Sequence, residues 1–279
     1  MKCRLFLVCF LLHQLLTAQN MFPVYQDSLN NNKQYFSFSG LADYQSTSIG
    51  KDIVQSFFYG GFVDTEMKQE SSNRHDEINR FGFDINAEFE YRNERLGLGK
   101  DSSFGLLFKW GAYNFSSMIY SKDLFDLAFF GNELFIGDTA NLTGSEFNSM
   151  TFQKLGFGLI DKKSKSSLVL NLVGLNNHLS GSFGNSYLYQ SQIMDSVSME
   201  FSGSAQRAIG NSYLKGLGVA LDVDYRFKMK KNEKHYAYFQ LIARNLGFAV
   251  MNSEKYVSNT NLTYSSYQII DFINSETIF

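Results

Sequence analysis

Beyond the first eighteen residues three histidines are available for chemistry, His75, His178 and His235. None has the His-x-x-x-His or Glu spacing that would hold zinc. The run Arg74-His75-Asp76-Glu77 has the composition of a catalytic cluster, but four consecutive polar residues of mixed charge are expected to be a solvated loop. No Gly-x-Ser-x-Gly elbow and no phosphate-cradling glycine loop occurs. The only cysteines, Cys3 and Cys9, lie within the first eighteen residues. The reading is therefore of a non-enzyme: no catalytic residue, no cofactor and no metal ligand is expected.

The ionisable residues that remain follow a different pattern. Over 81–92 the odd positions Phe81, Phe83, Ile85, Ala87, Phe89 and Tyr91 are apolar, and the even positions Asp84, Glu88, Glu90 and Arg92 carry charge. The same alternation recurs over 217–228, where Leu217, Val219, Leu221, Val223, Tyr225 and Phe227 face Asp222, Asp224, Arg226 and Lys228. A strand turns successive side chains to opposite faces, so each segment is a ribbon with one apolar and one ionic side. Ribbons of about twelve residues exceed the ~5–6 of soluble strands. They match the ~9–11 that a tilted strand needs to cross a bilayer.

The N-terminus points to export. Lys2 and Arg4 precede a mostly apolar run from Leu5 to Leu16, and Thr17-Ala18 offers small residues before Gln19. That is the layout of a secretory signal peptide over 1–18, too short for a spanning helix. Cys9 lies inside the apolar run and is not read as an acylation site. The mature domain, 19–279, then has no thiol. Its single proline, Pro23, leaves every later segment free to pair in a sheet. Aromatics reach 16% of the chain, with 28 Phe and 16 Tyr, which suits the girdles of a membrane barrel. Mean hydropathy is −0.19 and no apolar run of helical-span length follows the signal. A net charge of −2 gives no nucleic-acid footprint.

Along the mature chain 19–33 reads as a polar lead-in and 34–40 as a short strand. Ser48 is expected to cap a helix running to Tyr59, stopped by Gly60-Gly61. Residues 64–79 read as a charged loop before a strand at 80–92. A strand from Phe104 runs on towards Tyr120, and a second helix begins at Ser121 and ends at Gly131. Further strands are placed at 151–160, 166–175, 181–190, 195–203, 213–228, 235–249 and 263–272. The links Asp161–Lys165 and Lys230–Lys234 are short and polar, so antiparallel hairpins in series are expected. The glycines Gly156, Gly158, Gly216 and Gly218 fall in strands, where glycine relieves crowding or permits bending. The sequons at Asn114, Asn141 and Asn261 are read as chance.

The expected fold class is all-β, an antiparallel transmembrane β-barrel of roughly 10–14 strands, with two short helices and about ten strands visible in this chain. A soluble exported β-sandwich shares the alternation and is the alternative. In the barrel Asp84, Glu88, Glu90, Arg92, Lys109, Lys154, Glu200, Asp222, Asp224, Arg226 and Arg244 face the lumen. Both signs are present, so an internal ion-pair network is favoured over an open conduit.

The run Ser121-Lys-Asp-Leu-Phe-Asp-Leu-Ala-Phe-Phe-Gly-Asn132, followed by Phe135-Ile-Gly-Asp-Thr-Ala-Asn-Leu-Thr143, resembles a family of uncharacterised Bacteroidota outer-membrane barrels. So do the strand at 213–228, the strand ending Arg244-Asn-Leu-Gly-Phe248 and the tyrosine-bearing 256–267. The family is distantly similar to long-chain fatty-acid transporter barrels and has no defined catalytic residues. Its members continue for further strands, whereas this sequence stops at Phe279. A terminal aromatic is a barrel-assembly signal, yet Thr277, Ser275, Ile273 and Asp271 lack the accompanying alternation. The resemblance therefore implies either a short variant or a truncated one, located in the bacterial outer membrane. The partners it implies are membrane lipid and a small hydrophobic or amphipathic solute. A structural or adhesion role, with the 64–79 loop as the contact, is the second expectation.

Overall fold

The computed structural model describes residues 33–98, 103–232 and 235–265. The expected signal segment 1–18, the lead-in to residue 32, all but the first three residues of the strand expected at 263–272 and the terminal Phe279 lie outside the described residues. Eleven strands form one antiparallel sheet: β1 (Gln34–Ser46), β2 (Ile78–Leu98), β3 (Phe104–Ser121), β4 (Thr139–Asn141), β5 (Glu146–Asp161), β6 (Ser167–Phe183), β7 (Tyr187–Gln190), β8 (Ser196–Ala208), β9 (Gly216–Asn232), β10 (His235–Met251) and β11 (Ser253–Ser265). The fold is all-β. Three α-helices accompany it: α1 (Lys51–Tyr59), α2 (Thr65–Asn73) and α3 (Lys122–Phe130).

Register aligns the shorter strands into long rungs. β4 and β5 pair with β7 and β6 in one continuous line. β6 meets β9 along its first half and β8 along its second. Opposite them β10 pairs with β9 and β11 with β8, with only Asn252 between the two. The result is a meander in which each rung runs beside its sequence neighbour, as expected for hairpins in series.

The sheet is not closed into a barrel. Among the described residues no strand pairs with the outer edge of β1 or of β10–β11. Alternation fixes the faces of a sheet but says nothing about whether its first and last strands meet. Strand length, scarce proline and aromatic content, from which closure was expected, are likewise properties of single strands and do not bring the two edges together.

The two ends of the sheet differ. The β5–β6 turn is short: the Asp161 carboxylate accepts the Ser164 N–H at 3.0 Å and the Ser164 hydroxyl at 2.6 Å. The β2–β3 and β9–β10 links leave from the same end. At the other end lie the long connectors that carry α1 and α2 between β1 and β2, and α3 between β3 and β5. Ser121 caps α3 by accepting the Leu124 N–H, and Gly131, at φ 76°, ends it as expected.

Two expectations fail at this helical end. α1 starts at Lys51, not Ser48: the Ser46 hydroxyl takes the Ile49 N–H at 2.8 Å, while Ser48 is buried against the Tyr120 hydroxyl. The expected 64–79 loop contains α2, capped by Asp64, whose carboxylate accepts the Met67 N–H at 2.8 Å. Its Ser71 and Ser72, and His75 beyond it, are buried.

The two faces of the sheet differ in polarity and in burial. Across neighbouring strands Phe36, Tyr91, Phe108, Phe157, Leu170, Leu221 and Leu246 form one row. Phe38, Phe89, Trp110, Leu155, Leu172, Val219 and Phe248 form the next. These rows are exposed or half-exposed, reaching 61% at Leu170 and 70% at Phe248. On the opposite, concave face Glu88, Glu90, Arg92, Lys109 and Lys154 are all buried, Lys154 at 1%.

Candidate functional site

The concave face at mid-height is built by placing long charged side chains opposite glycines. Register sets Glu88 across from Gly111, and Lys109 across from both Glu90 and Gly156. The missing Cβ atoms leave the room. A Cβ at Gly111 would come within 2.6 Å of the Tyr113 hydroxyl, and one at Gly156 within 2.3 Å of the Asn171 side-chain oxygen. The strand glycines thus relieve crowding on the inside of the curve.

The charges that meet there alternate in sign. Arg92 lies 3.2 Å from Glu90, and Lys109 bridges Glu90 at 3.0 Å and Glu88 at 3.2 Å. Lys154 reaches Asp222 at 2.7 Å and Glu88 at 3.7 Å. The Tyr113 hydroxyl donates to Glu88 at 2.6 Å, its ring stacks on Phe152 at 4.9 Å, and the Lys154 ammonium lies 4.8 Å from the ring centroid. A β-bulge between Ala243 and Leu246 closes the far side. There Asn245, at φ 58°, donates its N–H to Asp222 at 2.8 Å and accepts from Lys154 at 3.0 Å. Arg244, half-buried on the same bulge, stands within electrostatic reach of Glu88 and Lys109.

The lumen candidates therefore divide. Glu88, Glu90, Arg92, Lys109 and Asp222 come together with Lys154, and Arg244 borders them. Asp224 and Arg226 pair with each other at 2.7 Å towards the short-turn end, where Gln240 also donates to Asp224. Asp84 accepts from Asn86 at 3.1 Å and lines a separate cavity of about 420 Å³ with Arg80 and Phe115. Glu200 is exposed on β8. Each buried charge in the central group has an opposite charge or a hydrogen-bond donor against it, the condition under which burial is tolerable. Such an arrangement fills space and fixes register.

Two features lay outside the sequence reading. On the concave face towards the helical end is a cavity of about 560 Å³, lined by Ser117, Asn148, Ser180, Gln206, Glu146 and Lys255 among others. The stacked Tyr113 and Phe152, with Leu175, separate it from the ion pairs. Its signal was the inward parity of the serines, which charge-based reading passed over. The second feature corrects the solvated-loop reading of Arg74–Glu77 at His75 only; Arg74, Asp76 and Glu77 are exposed as expected. His75 is buried: its Nδ1 donates to the Ser71 carbonyl at 2.6 Å, so its Nε2 accepts from the Tyr120 hydroxyl at 3.0 Å. Its ring lies 4.1 Å from that of Phe125. Beside it Ser72 and Lys122 both donate to the buried Asp126, joining α2 to α3. Burial holds the His75 pKa below its ordinary value, against the opposing pull of the Ser71 carbonyl and Asp126.

Among the described residues no group of three or more His, Cys, Asp or Glu is placed to hold a metal ion, and no helix is long and apolar enough to cross a membrane. Comparison with protein-family models, with curated proteins and with solved structures finds no match for this chain.

Proposed function

We propose that this chain is a non-enzymatic outer-membrane β-barrel protein that admits small amphipathic molecules. The observation that carries the reading is the inverted burial of the sheet. Phe157, Leu170, Leu172 and Phe248 are exposed, while Glu88, Lys109, Lys154 and Asp222 are buried behind them. In water both halves of that arrangement are unfavourable. A large apolar side chain left exposed forgoes about 1.5–3 kcal/mol, and each ion withdrawn from water costs several kcal/mol. Against hydrocarbon the exposed face is the stable one.

Three further features support it. From Leu217 to Phe227 the apolar alternation of β9 spans ten rises, about 33 Å along the strand. At a tilt near ~40° that is about 25 Å, the height of a barrel's lipid-facing band. Short turns at one end and long connectors at the other match the periplasmic and external ends of such barrels. The signal-like N-terminus and the resemblance to Bacteroidota barrels related to fatty-acid transporters agree. In hydrocarbon every strand edge must be paired, so the reading requires strand partners for the outer edges of β1 and β10–β11. Barrel closure is part of the proposal.

The concave cavity suits the polar head of an amphiphile better than a purely hydrophobic solute. Passage beyond it requires the Lys154–Asp222 and Lys109–Glu88 pairs to separate.

Trp110, the sole tryptophan, tests the membrane reading directly. It lies in the exposed row at 43% accessibility. In reconstituted vesicles its emission is expected to fall with lipids brominated along the acyl chain and to resist aqueous iodide. Recovery as a soluble periplasmic protein with an iodide-accessible Trp110 would sink the proposal.

A further inference from the structure

α1 buries the wrong end of its apolar surface for a helix that faces water. Ile53 and Val54, in its first half, are buried. Phe57, Phe58 and Tyr59, in its last turn, are exposed, as is Phe62 after the Gly60-Gly61 stop; Tyr59 is 85% and Phe62 84% accessible. Four large aromatics within six positions leave a continuous apolar patch with no cover from the described residues.

The register of the sheet says where that patch sits. Tyr120 pairs with Asn79, Met118 with Phe81 and Ser116 with Phe83, each pair one rung nearer the exposed apolar rows. Ile53 packs in the cluster with Tyr120 and Phe125, at the top of this ladder. Phe58, five residues further on, meets Phe83 edge-to-face at 5.2 Å. α1 therefore runs down the outer face of the sheet and ends beside Phe83. The next outward residue of β2 is Ile85, the first exposed member of the apolar band. Beyond the sheet contact, Phe57 lies edge-on to Phe129 of α3 at 6.4 Å, so the patch continues across both helices.

We propose that the aromatic end of α1, with Phe62, lies in the headgroup interface of the bilayer leaflet at the helical end, as a lateral anchor. The proposal rests on the membrane reading above. Continuity with the apolar band, through Phe58 and Phe83, identifies lipid as the occupant. The chemistry agrees: aromatic side chains collect at the membrane–water boundary, and a helix with one apolar face lies in the boundary plane, its apolar side ~5–10 Å deep.

The test moves the fluorophore. In a Trp110→Phe background, Tyr59→Trp or, as a second version, Phe62→Trp places the indole on the proposed anchor; both positions are exposed enough to accept it. The full chain is reconstituted in phosphatidylcholine vesicles carrying lipids brominated either near the headgroup or deep in the chain. The expected result is strong loss of emission with the shallow label and weak loss with the deep one, at both positions. Emission quenched by aqueous iodide and by neither lipid overturns the anchor, as does protection from all three quenchers with a concentration-dependent dimer, which would mean that a second copy covers the patch. Wild-type Trp110 in the same vesicles separates the two proposals. If Trp110 responds to the deep label and the introduced indole does not respond to lipid, the anchor fails and the membrane reading stands. If neither responds, both fail.

Discussion

Lys154 Nζ lies 2.7 Å from the Asp222 carboxylate, although β5 and β9 are not neighbours in the sheet and β6 runs between them. The contact spans a whole strand across the concave face. On the spanned strand Val173 stands opposite Lys154 and Val169 opposite Asp222, so the two side chains reach towards each other over β6. Removing one partner of a buried pair leaves an uncompensated charge, so Lys154→Met is expected to cost about 3–5 kcal/mol. The double variant Lys154→Met/Asp222→Leu should regain most of that loss. Denaturant midpoints of micelle-refolded protein decide it; a double variant no more stable than the single one contradicts the pairing.

Gly111 and Gly40 make opposite demands on space. An alanine at 111 places its Cβ against the Tyr113 hydroxyl, and that ring is held between Phe152 and Glu88. An alanine at 40 meets only the Asn86 carbonyl at an ordinary 3.7 Å. Gly111→Ala should therefore destabilise by about 1–3 kcal/mol, and Gly40→Ala should stay within about 0.5 kcal/mol. Equal midpoints for the two would mean that the interior is not packed as described.

His75 makes the helical end sensitive to acid. Its folded-state pKa is lowered by burial, so the unfolded chain takes up a proton first as pH falls. The stability contributed by neutral His75 is fully present above the unfolded value near ~6.5 and is lost as pH drops towards the folded value. Asp126, Lys122 and Asp76 are the charged groups within electrostatic reach of the ring. Protection factors of the α2 amides, corrected for the intrinsic exchange rate at each pH, should fall between neutral and mildly acidic pH. His75→Phe should remove that dependence; an unchanged pH profile in the variant would assign it elsewhere.

Capping separates two serines that look alike in sequence. Ser121 accepts the Leu124 N–H, whereas Ser48 makes no such bond to α1. Ser121→Ala should cost about 0.5–2 kcal/mol and loosen the first turn of α3 by hydrogen exchange. Ser48→Ala should leave the first amides of α1 unaffected and act through its hydroxyl contacts with Tyr120 and Thr47.

What could be read in the sequence was what short-range rules determine. The alternation at 81–92 and 217–228 located β2 and β9 because two faces of different polarity repeat every second residue. Ser121 and Gly131 bounded α3 because a cap and a left-handed glycine act within one turn. α2 was not legible: Thr65–Asn73 is mostly polar, and what holds Ser71, Ser72 and His75 is their burial against Tyr120, Phe125 and Asp126, more than forty positions away. The strand predicted at 181–190 breaks into the end of β6 and all of β7 because β8 pairs with both with a shift between them. Parity picked out charges that share one face of the sheet, but it did not say that Asp224 and Arg226 would pair with each other apart from the rest.

β10 and β11 form nearly one strand, and its two halves pair with partners of very different age in the growing chain. β10 folds back on β9 across a short hairpin, a fast local event. β11 must then find β8, whose residues were made well before it, while the 209–215 segment is looped out opposite Asn252. Until Ser253–Ser265 are in place, that flank of β8 is an open edge with its amides unpaired. The sheet thus has a built-in order of completion: a later-made strand seals an older one. The interval between the two events is when β8 is open to pairing with another chain, and the length of the 209–215 loop sets how long that exposure lasts.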